Sequence, residues 1–242
     1  MISFIIPAHN EQAWIGRCIA AIRKSVETIG EPHEIIVVND ASTDATAALA
    51  AAEGARVISV AHRQISATRN AGARQATGEV FFFVDADTLV NGPVVHSALA
   101  AMRAGAVGGG CVPEFEGRIP WWSRVAYPLG VAIVRLTSLS GGACQFCTRQ
   151  AFERVGGFSE KHFAAEDAFF MRELKRHGRV VVPKERILTS GRSLRNHSLG
   201  KIARLLTRLA LRGPGGLRQR EGLDVWYQPQ REDVGEGEVR KT

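Results

Sequence analysis

Cysteine is scarce in this sequence: Cys18, Cys111, Cys144 and Cys147 are the four present among 242 residues. Four scattered thiols make no disulfide framework, which points to a reducing, cytoplasmic setting. Cys144 and Cys147 have the spacing of half a zinc site, but no second pair or nearby histidine completes it, so they read as ordinary cysteines of a buried segment. Long apolar runs are missing too. The longest candidate, residues 125–134, is closed off by Arg124 and Arg135 and suits a core or interfacial helix rather than a bilayer span. Residues 1–6 lack a basic leader and their apolar run stops at Pro7, so they do not read as a signal peptide. Acid is absent from one long stretch. Arg192, Arg195, Lys201, Arg204, Arg208, Arg212, Arg218 and Arg220 follow one another with no Asp or Glu between them, in a chain of net charge +7. Such a block suggests an anionic partner: phosphate, nucleic acid or a membrane surface. No aromatic-interleaved basic sheet or zinc motif supports nucleic acid.

What is present is a chain that is 45% hydrophobic and 23% charged, enough to bury one sizeable core. Its first half alternates strands and helices. A strand at 2–6 ends at Pro7, and Asn10 is placed to cap a helix with the apolar face Ile15, Cys18, Ile19, Ile22 and Val26. A strand at 34–38 runs into Asn39-Asp40, and Ser42 or Thr43 can cap a short Ala-rich helix. A strand at 56–60, a helix at 65–76 and a wholly apolar strand at 80–84 follow, the last ending in Asp85-Ala86-Asp87. This order predicts an α/β fold, a mostly parallel sheet with helices on both faces. The polar residues gather where strands end, at His9-Asn10-Glu11, Asp40 and Asp85 to Asp87, which predicts one ligand edge. The second half is less regular. It offers Trp121-Trp122 opening an apolar stretch to about residue 139, a strand at 143–148, a helix from Glu166 to about 175 and a last short strand at 180–182. An amphipathic helix at 199–211 sets Leu199, Ile202, Leu206 and Leu209 against Lys201, Arg204 and Arg208.

Asp85-Ala86-Asp87 carries the sharpest chemistry. Two carboxylates in one turn at the end of a buried strand can aim at one point, and a hard divalent cation takes such ligands together with phosphate oxygens. A solvated acidic turn is the competing reading, since the pattern alone is common. Trp121 and Trp122 are equally open: stacking faces for a ligand, or core and interfacial anchors.

Five segments, in this order, resemble the inverting family-2 glycosyltransferases of GT-A fold. They are Ile5-Ile6-Pro7-Ala8-His9-Asn10-Glu11, then Val37 to Thr46, Arg69-Asn70-Ala71-Gly72, Asp85-Ala86-Asp87, and Gly156-Gly157-Phe158 followed by Glu166-Asp167. The resemblance spans residues 2–182. It implies a nucleotide-sugar-binding half at 1–110 and an acceptor-binding half of the same domain at 111–190; beyond these, charge and composition give a basic helical segment at 191–216 and a flexible tail at 217–242. It implies transfer of a sugar, from a UDP-sugar, to an acceptor hydroxyl in a single transfer with Mn²⁺ or Mg²⁺. Pro7, Ala8 and Glu11 fall where the family cradles the nucleoside, Asp40 where it holds the base, and Arg69 where it contacts the nucleotide. Asp85 and Asp87 fall on the metal and diphosphate. Asp167 falls where the family places its general base, with Glu166 beside it holding acceptor or loop. His197 is a candidate for the metal, and Arg192 and Arg195 for a clamp on the phosphates. For Asp40, Arg69, Glu166-Asp167 and His197 the competing readings are a turn residue, a solvated helix face, a helix N-terminus and an ordinary polar residue. No Gln-x-x-Arg-Trp segment of the processive synthases is found. Two alternatives share the fold: a GDP-mannose-dependent or retaining transferase, and a non-catalytic sugar-nucleotide-binding or membrane-docking module. The basic helix allows peripheral placement at the inner face of an anionic membrane, near a lipid-linked acceptor, or simple docking on the catalytic domain.

Overall fold

Residues 2–8, 33–40 and 80–84 are buried almost throughout because both faces of the sheet they build are covered. The computed structural model describes residues 1–196 apart from 118, 139, 141 and 162–165. His197, the basic helix expected at 199–211 and the tail expected at 217–242 lie outside the described residues. In chain order the elements are β1 (Ile2–Ala8), α1 (Ile15–Glu27), β2 (His33–Asp40), α2 (Thr46–Ala52), β3 (Arg56–Val60), α3 (Ile65–Gln75), β4 (Val80–Val84), β5 (Thr88–Leu89) and α4 (Gly92–Arg103). They continue with β6 (Gly108–Gly110), β7 (Val112–Glu116), α5 (Trp121–Thr137), β8 (Cys144–Thr148), α6 (Arg149–Val155), α7 (Glu166–His177), β9 (Val180–Val181), β10 (Arg186–Ser190) and α8 (Arg192–Asn196).

The main sheet has the order β3-β2-β1-β4-β8-β6-β9. Strands β3, β2, β1 and β4 are parallel, and β8 runs antiparallel between β4 and β6. Because the chain winds outward from β1 to β3 and then restarts at β4 on the other side, the β1–β4 junction is a topological switch point, where a crevice opens at the strand ends. A smaller sheet, β5-β10-β7, stands beside it. The strand period of two sorts the side chains into two cores. Phe4, Ile6, Phe82 and Val84 face α1 and α4, while Ile5, Phe81 and Phe83 face α3, α6 and α7. Cys144 and Cys147, three residues apart on β8, therefore lie in opposite cores and cannot share a metal. No helix among the described residues is long and apolar enough to cross a membrane.

Some local expectations are corrected. Asn10 does not cap α1; it stands at φ 56, its side chain accepts from the Thr43 backbone N–H at 2.8 Å, and the helix begins after Trp14. Neither Ser42 nor Thr43 caps α2, whose first N–H is taken by Asp44 at 2.9 Å. The tie between Asn10 and Thr43 joins the β1 and β2 exits, so long-range pairing displaced local capping. Strands β5, β6, β7 and β10 had no sequence expectation, and β9 is not the last strand.

Candidate active site

Arg69 lies on α3 with only 1% of its surface exposed. Its guanidinium donates to Asp85 at 2.8 Å, to Asp167 at 2.5 Å, to Glu166 at 3.3 Å and to the Gly142 carbonyl at 3.2 Å. The ring of Phe158 lies 5.1 Å from its central carbon. Three carboxylates, one just past the end of β4 and two at the start of α7, thus meet one buried cation. The solvated-arginine reading is excluded, since the guanidinium is buried among these carboxylates.

The motif around it makes sense residue by residue. Asn70 clasps the backbone of Phe158 in both directions at 2.9 Å, tying α3 to the Gly156-Gly157-Phe158 turn. Gly72 lets α3 lie flat on the sheet: a Cβ there would stand 2.5 Å from Ile5 and 2.7 Å from Val38. Close approach, not flexibility, is what this glycine provides.

Burial sets the electrostatics. Desolvation raises the Asp85 carboxyl to about 6, with the charges of Asp87 and Asp167 pushing the same way and Arg69 opposing. Glu166, 6% exposed, is raised as well, first by burial and then by Asp167, against the pull of Arg69. Asp167 is the more open of the pair, at 19% side-chain exposure against 8% for Glu166. Gln145 of β8 donates to the Asp167 backbone carbonyl at 3.1 Å. A Cβ on Gly142 would collide with the Asp167 carboxylate, so that position is held to glycine by contact with the candidate base.

A second cluster sits across the tip of β4. Arg192, on α8, pairs with Glu11 at 2.5 Å and with Asp87 at 3.1 Å. Burial raises Glu11 and Asp87, each relieved by Arg192. Arg195 reaches the Glu116 carbonyl at 3.4 Å. At the β2 exit, Asp40 is 5% exposed and accepts from the Arg63 backbone N–H at 2.9 Å and the Thr68 hydroxyl at 2.8 Å. The Arg63 guanidinium lies against the His9 ring, with 2.9 Å to Nδ1. Ala8 points its side chain into a core, so only its backbone is open to a ligand; Pro7 is half-buried on the same strand.

The fit to a divalent cation can be tested on these atoms. Among the described residues no group of three or more His, Cys, Asp and Glu side chains could hold a metal by itself. Asp85 and Asp87 are hard oxygen donors in a carboxylate-rich cluster, and the Glu11 Oε2 beside them is buried without a hydrogen-bond partner among the described residues. Two carboxylates that leave the remaining positions to diphosphate oxygens suit Mg²⁺ or Mn²⁺, so the residues fit.

The structure brings Glu11, Arg69, Asp85, Asp87, Glu166, Asp167 and Arg192 together, with Pro7, Ala8 and Asp40 along the adjoining strand exits. His197 lies outside the described residues. Trp121 and Trp122 sit on α5, where Trp121 is 74% exposed. Gly142, Thr68, Arg63 and Gln145 carried no sequence signal strong enough to name them, because each acts through a partner more than 20 residues away.

A model of glycosyl transferase family 2 matches residues 3–165. The glycosyltransferase EpsJ of Bacillus subtilis (strain 168) is 35% identical over 97 residues, 38% of this chain and 27% of that protein. Validoxylamine A glucosyltransferase of Streptomyces hygroscopicus subsp. limoneus is 29% identical over 107 residues, 42% of this chain and 23% of that protein. The chain's matches thus span about a quarter of these relatives. The structure of mannosyltransferase PcManGT from Pyrobaculum calidifontis with GDP-Man and Mn²⁺ superposes with a TM-score of 0.63 at 20% identity, covering 90% of this chain and 66% of that one. TarS of S. aureus with UDP gives 0.59 at 20% identity, covering 78% and 60%. Glucosyl-3-phosphoglycerate synthase from Mycobacterium tuberculosis with Mn²⁺, UDP and phosphoglyceric acid gives 0.59 at 19% identity, covering 88% and 78%. These likenesses establish the GT-A fold, and with a family match over more than half its length the chain belongs to glycosyl transferase family 2.

Proposed function

We propose that the protein transfers a sugar from a nucleoside diphosphate, UDP by the family resemblance, to an acceptor hydroxyl with inversion. The observation that carries this reading is the buried Arg69, which holds Asp85 at the tip of β4 and Asp167 at the start of α7 on one guanidinium. A donor-binding tip and a candidate base are thereby locked at a fixed separation, the preorganisation a single displacement needs. Asp40 has spare acceptor capacity beyond its two hydrogen bonds and suits the N–H edge of a base. Glu11 and the backbone of Pro7 and Ala8 line the same side. Asp167 takes the proton of the acceptor hydroxyl as its oxygen bonds to the anomeric carbon, and the bond from that carbon to the diphosphate oxygen breaks. Arg192 is placed to shift from Asp87 and Glu11 onto the diphosphate as negative charge develops there. A divalent cation on Asp85 and Asp87 supplies, when bound, Lewis-acid stabilisation of the leaving diphosphate. His197 remains a candidate further ligand.

The test is a panel of UDP- and GDP-sugars, each with Mn²⁺, Mg²⁺ or EDTA, read by isothermal titration and by slow donor hydrolysis. Metal-dependent binding of UDP-sugars is expected; preference for GDP-mannose would change the base reading, and no sugar-nucleotide binding would end the proposal. Asp167→Asn should lower turnover by about 10²-fold or more while leaving donor affinity near wild type. Loss of donor binding with turnover retained at saturation would remove Asp167 from the base role.

A further inference from the structure

Helix α5 belongs to neither core cluster, and Ser123 is its one buried residue. It rests on the small sheet through Tyr127, whose ring meets Phe115 at 6.1 Å and whose hydroxyl donates to the Pro113 carbonyl at 2.8 Å. Its outer face is apolar. Five of the seven exposed large hydrophobic side chains among the described residues are on it: Trp121 (74%), Val125 (74%), Leu129 (67%), Ile133 (51%) and Leu136 (87%). At 100° per residue these five fall within about 120° of the helix circumference and run its full length of about 25 Å. This is a continuous stripe, not scattered exposure.

The charge pattern says what covers it. From residue 117 to residue 152 there is no Asp or Glu. The helix carries two charges, Arg124 and Arg135, both exposed, and the same helical geometry puts them together on one flank of the stripe. Lys175 adds a third cation at the C-terminal end, donating to the Thr137 carbonyl at 2.6 Å. The nearby acids Glu114 and Glu116 are already paired with Arg186 and Arg17. Docking of the basic segment expected at 199–211, or of a second copy through the same face, would set like charges against one another. An anionic bilayer answers both features: acyl chains for the stripe, headgroups for the arginine flank, and an interfacial position for Trp121. We infer that α5 is a membrane-docking helix that lies in the plane of an anionic lipid surface. Five residues beyond its end the chain reaches Gly142, against Arg69 and Asp167, within about 17 Å of extended backbone. A surface held by α5 is therefore close to the candidate site, although docking itself does not depend on any catalytic role.

The experiment is co-sedimentation of the full chain with vesicles of phosphatidylcholine alone and of phosphatidylcholine containing phosphatidylglycerol, at low and high salt. Binding to the anionic vesicles, weakened by salt, is expected. The variant V125E/L129E/I133E should lose roughly tenfold or more of that partitioning, and R124E/R135E should lose it on anionic vesicles while its far-UV circular dichroism stays unchanged. Wild-type protein left in the supernatant at low salt would overturn the inference. So would wild-type partitioning by V125E/L129E/I133E, which would hand the docking to the basic C-terminal segment. A dimer in solution that V125E/L129E/I133E converts to monomer without change in vesicle binding would assign the face to a second copy.

Discussion

At the scale of the residue, three carboxylates share one guanidinium that is itself out of bulk water, Glu166 almost wholly buried with it and Asp85 and Asp167 partly so. Removing Arg69 leaves Asp85, Glu166 and Asp167 facing one another without their cation. Arg69→Met should therefore cost about 3–5 kcal/mol, read as a fall in denaturant midpoint at unchanged slope. The same burial gives the protein a pH signature. The Glu166 carboxyl is raised in the folded state from its ordinary 4.5, so its contribution is fully present below that value. It is lost as pH rises toward the folded pKa, because the unfolded chain sheds the proton first. Glu166→Gln should accordingly gain stability relative to wild type between about pH 5 and about pH 8; a difference that stays constant in denaturant titrations would show that Glu166 does not hold its proton. The types of these residues were legible in the chain, but the reach of Arg69 was not. It sits on a helix whose neighbours Ala67, Ala71 and Ala73 look like any buried face, and only the meeting of α3, β4 and α7 shows what its guanidinium is for.

At the scale of the element, the loop between α5 and β8 sets the position of the candidate base. Gly142 presses its backbone against Asp167 and gives its carbonyl to Arg69. Gly142→Ala should move the Asp167 carboxylate, lowering turnover by about tenfold or more with nucleotide affinity little changed; a transferase assay beside a titration of the nucleotide separates the two. Strands β1 to β4 were readable because their apolar runs are bounded by turns and most of them are covered on both faces. Strands β5, β7 and β10 were not, because they are short, carry Pro113, Glu114, Glu116 and Arg186, and exist through pairing across more than 70 residues. Cap assignments failed for a related reason. Asn10 and Ser42 hydrogen-bond each other's loops across the β1–β2 exits, a pairing that outweighs a local cap.

At the scale of the whole molecule, ligand and metal should act on stability together. A nucleoside diphosphate bound only by the folded state at about a hundred times its Kd adds about 2.7 kcal/mol, so UDP with Mn²⁺ should raise the unfolding temperature by several degrees. EDTA should remove most of that shift. Asp87→Asn should behave as the wild type does in EDTA; if it keeps the full manganese-dependent shift, the cation is held elsewhere.

Residue order alone determined the alternation of strands and helices, the parallel half of the sheet and the clustering of acid at strand ends, since hydrophobic period and turn chemistry are properties of short windows. The exposed face of α5, the antiparallel return of β8 and the convergence on Arg69 were decided by tertiary structure. Each depends on which surfaces meet, and a window of neighbours carries no information about contacts formed a hundred residues away.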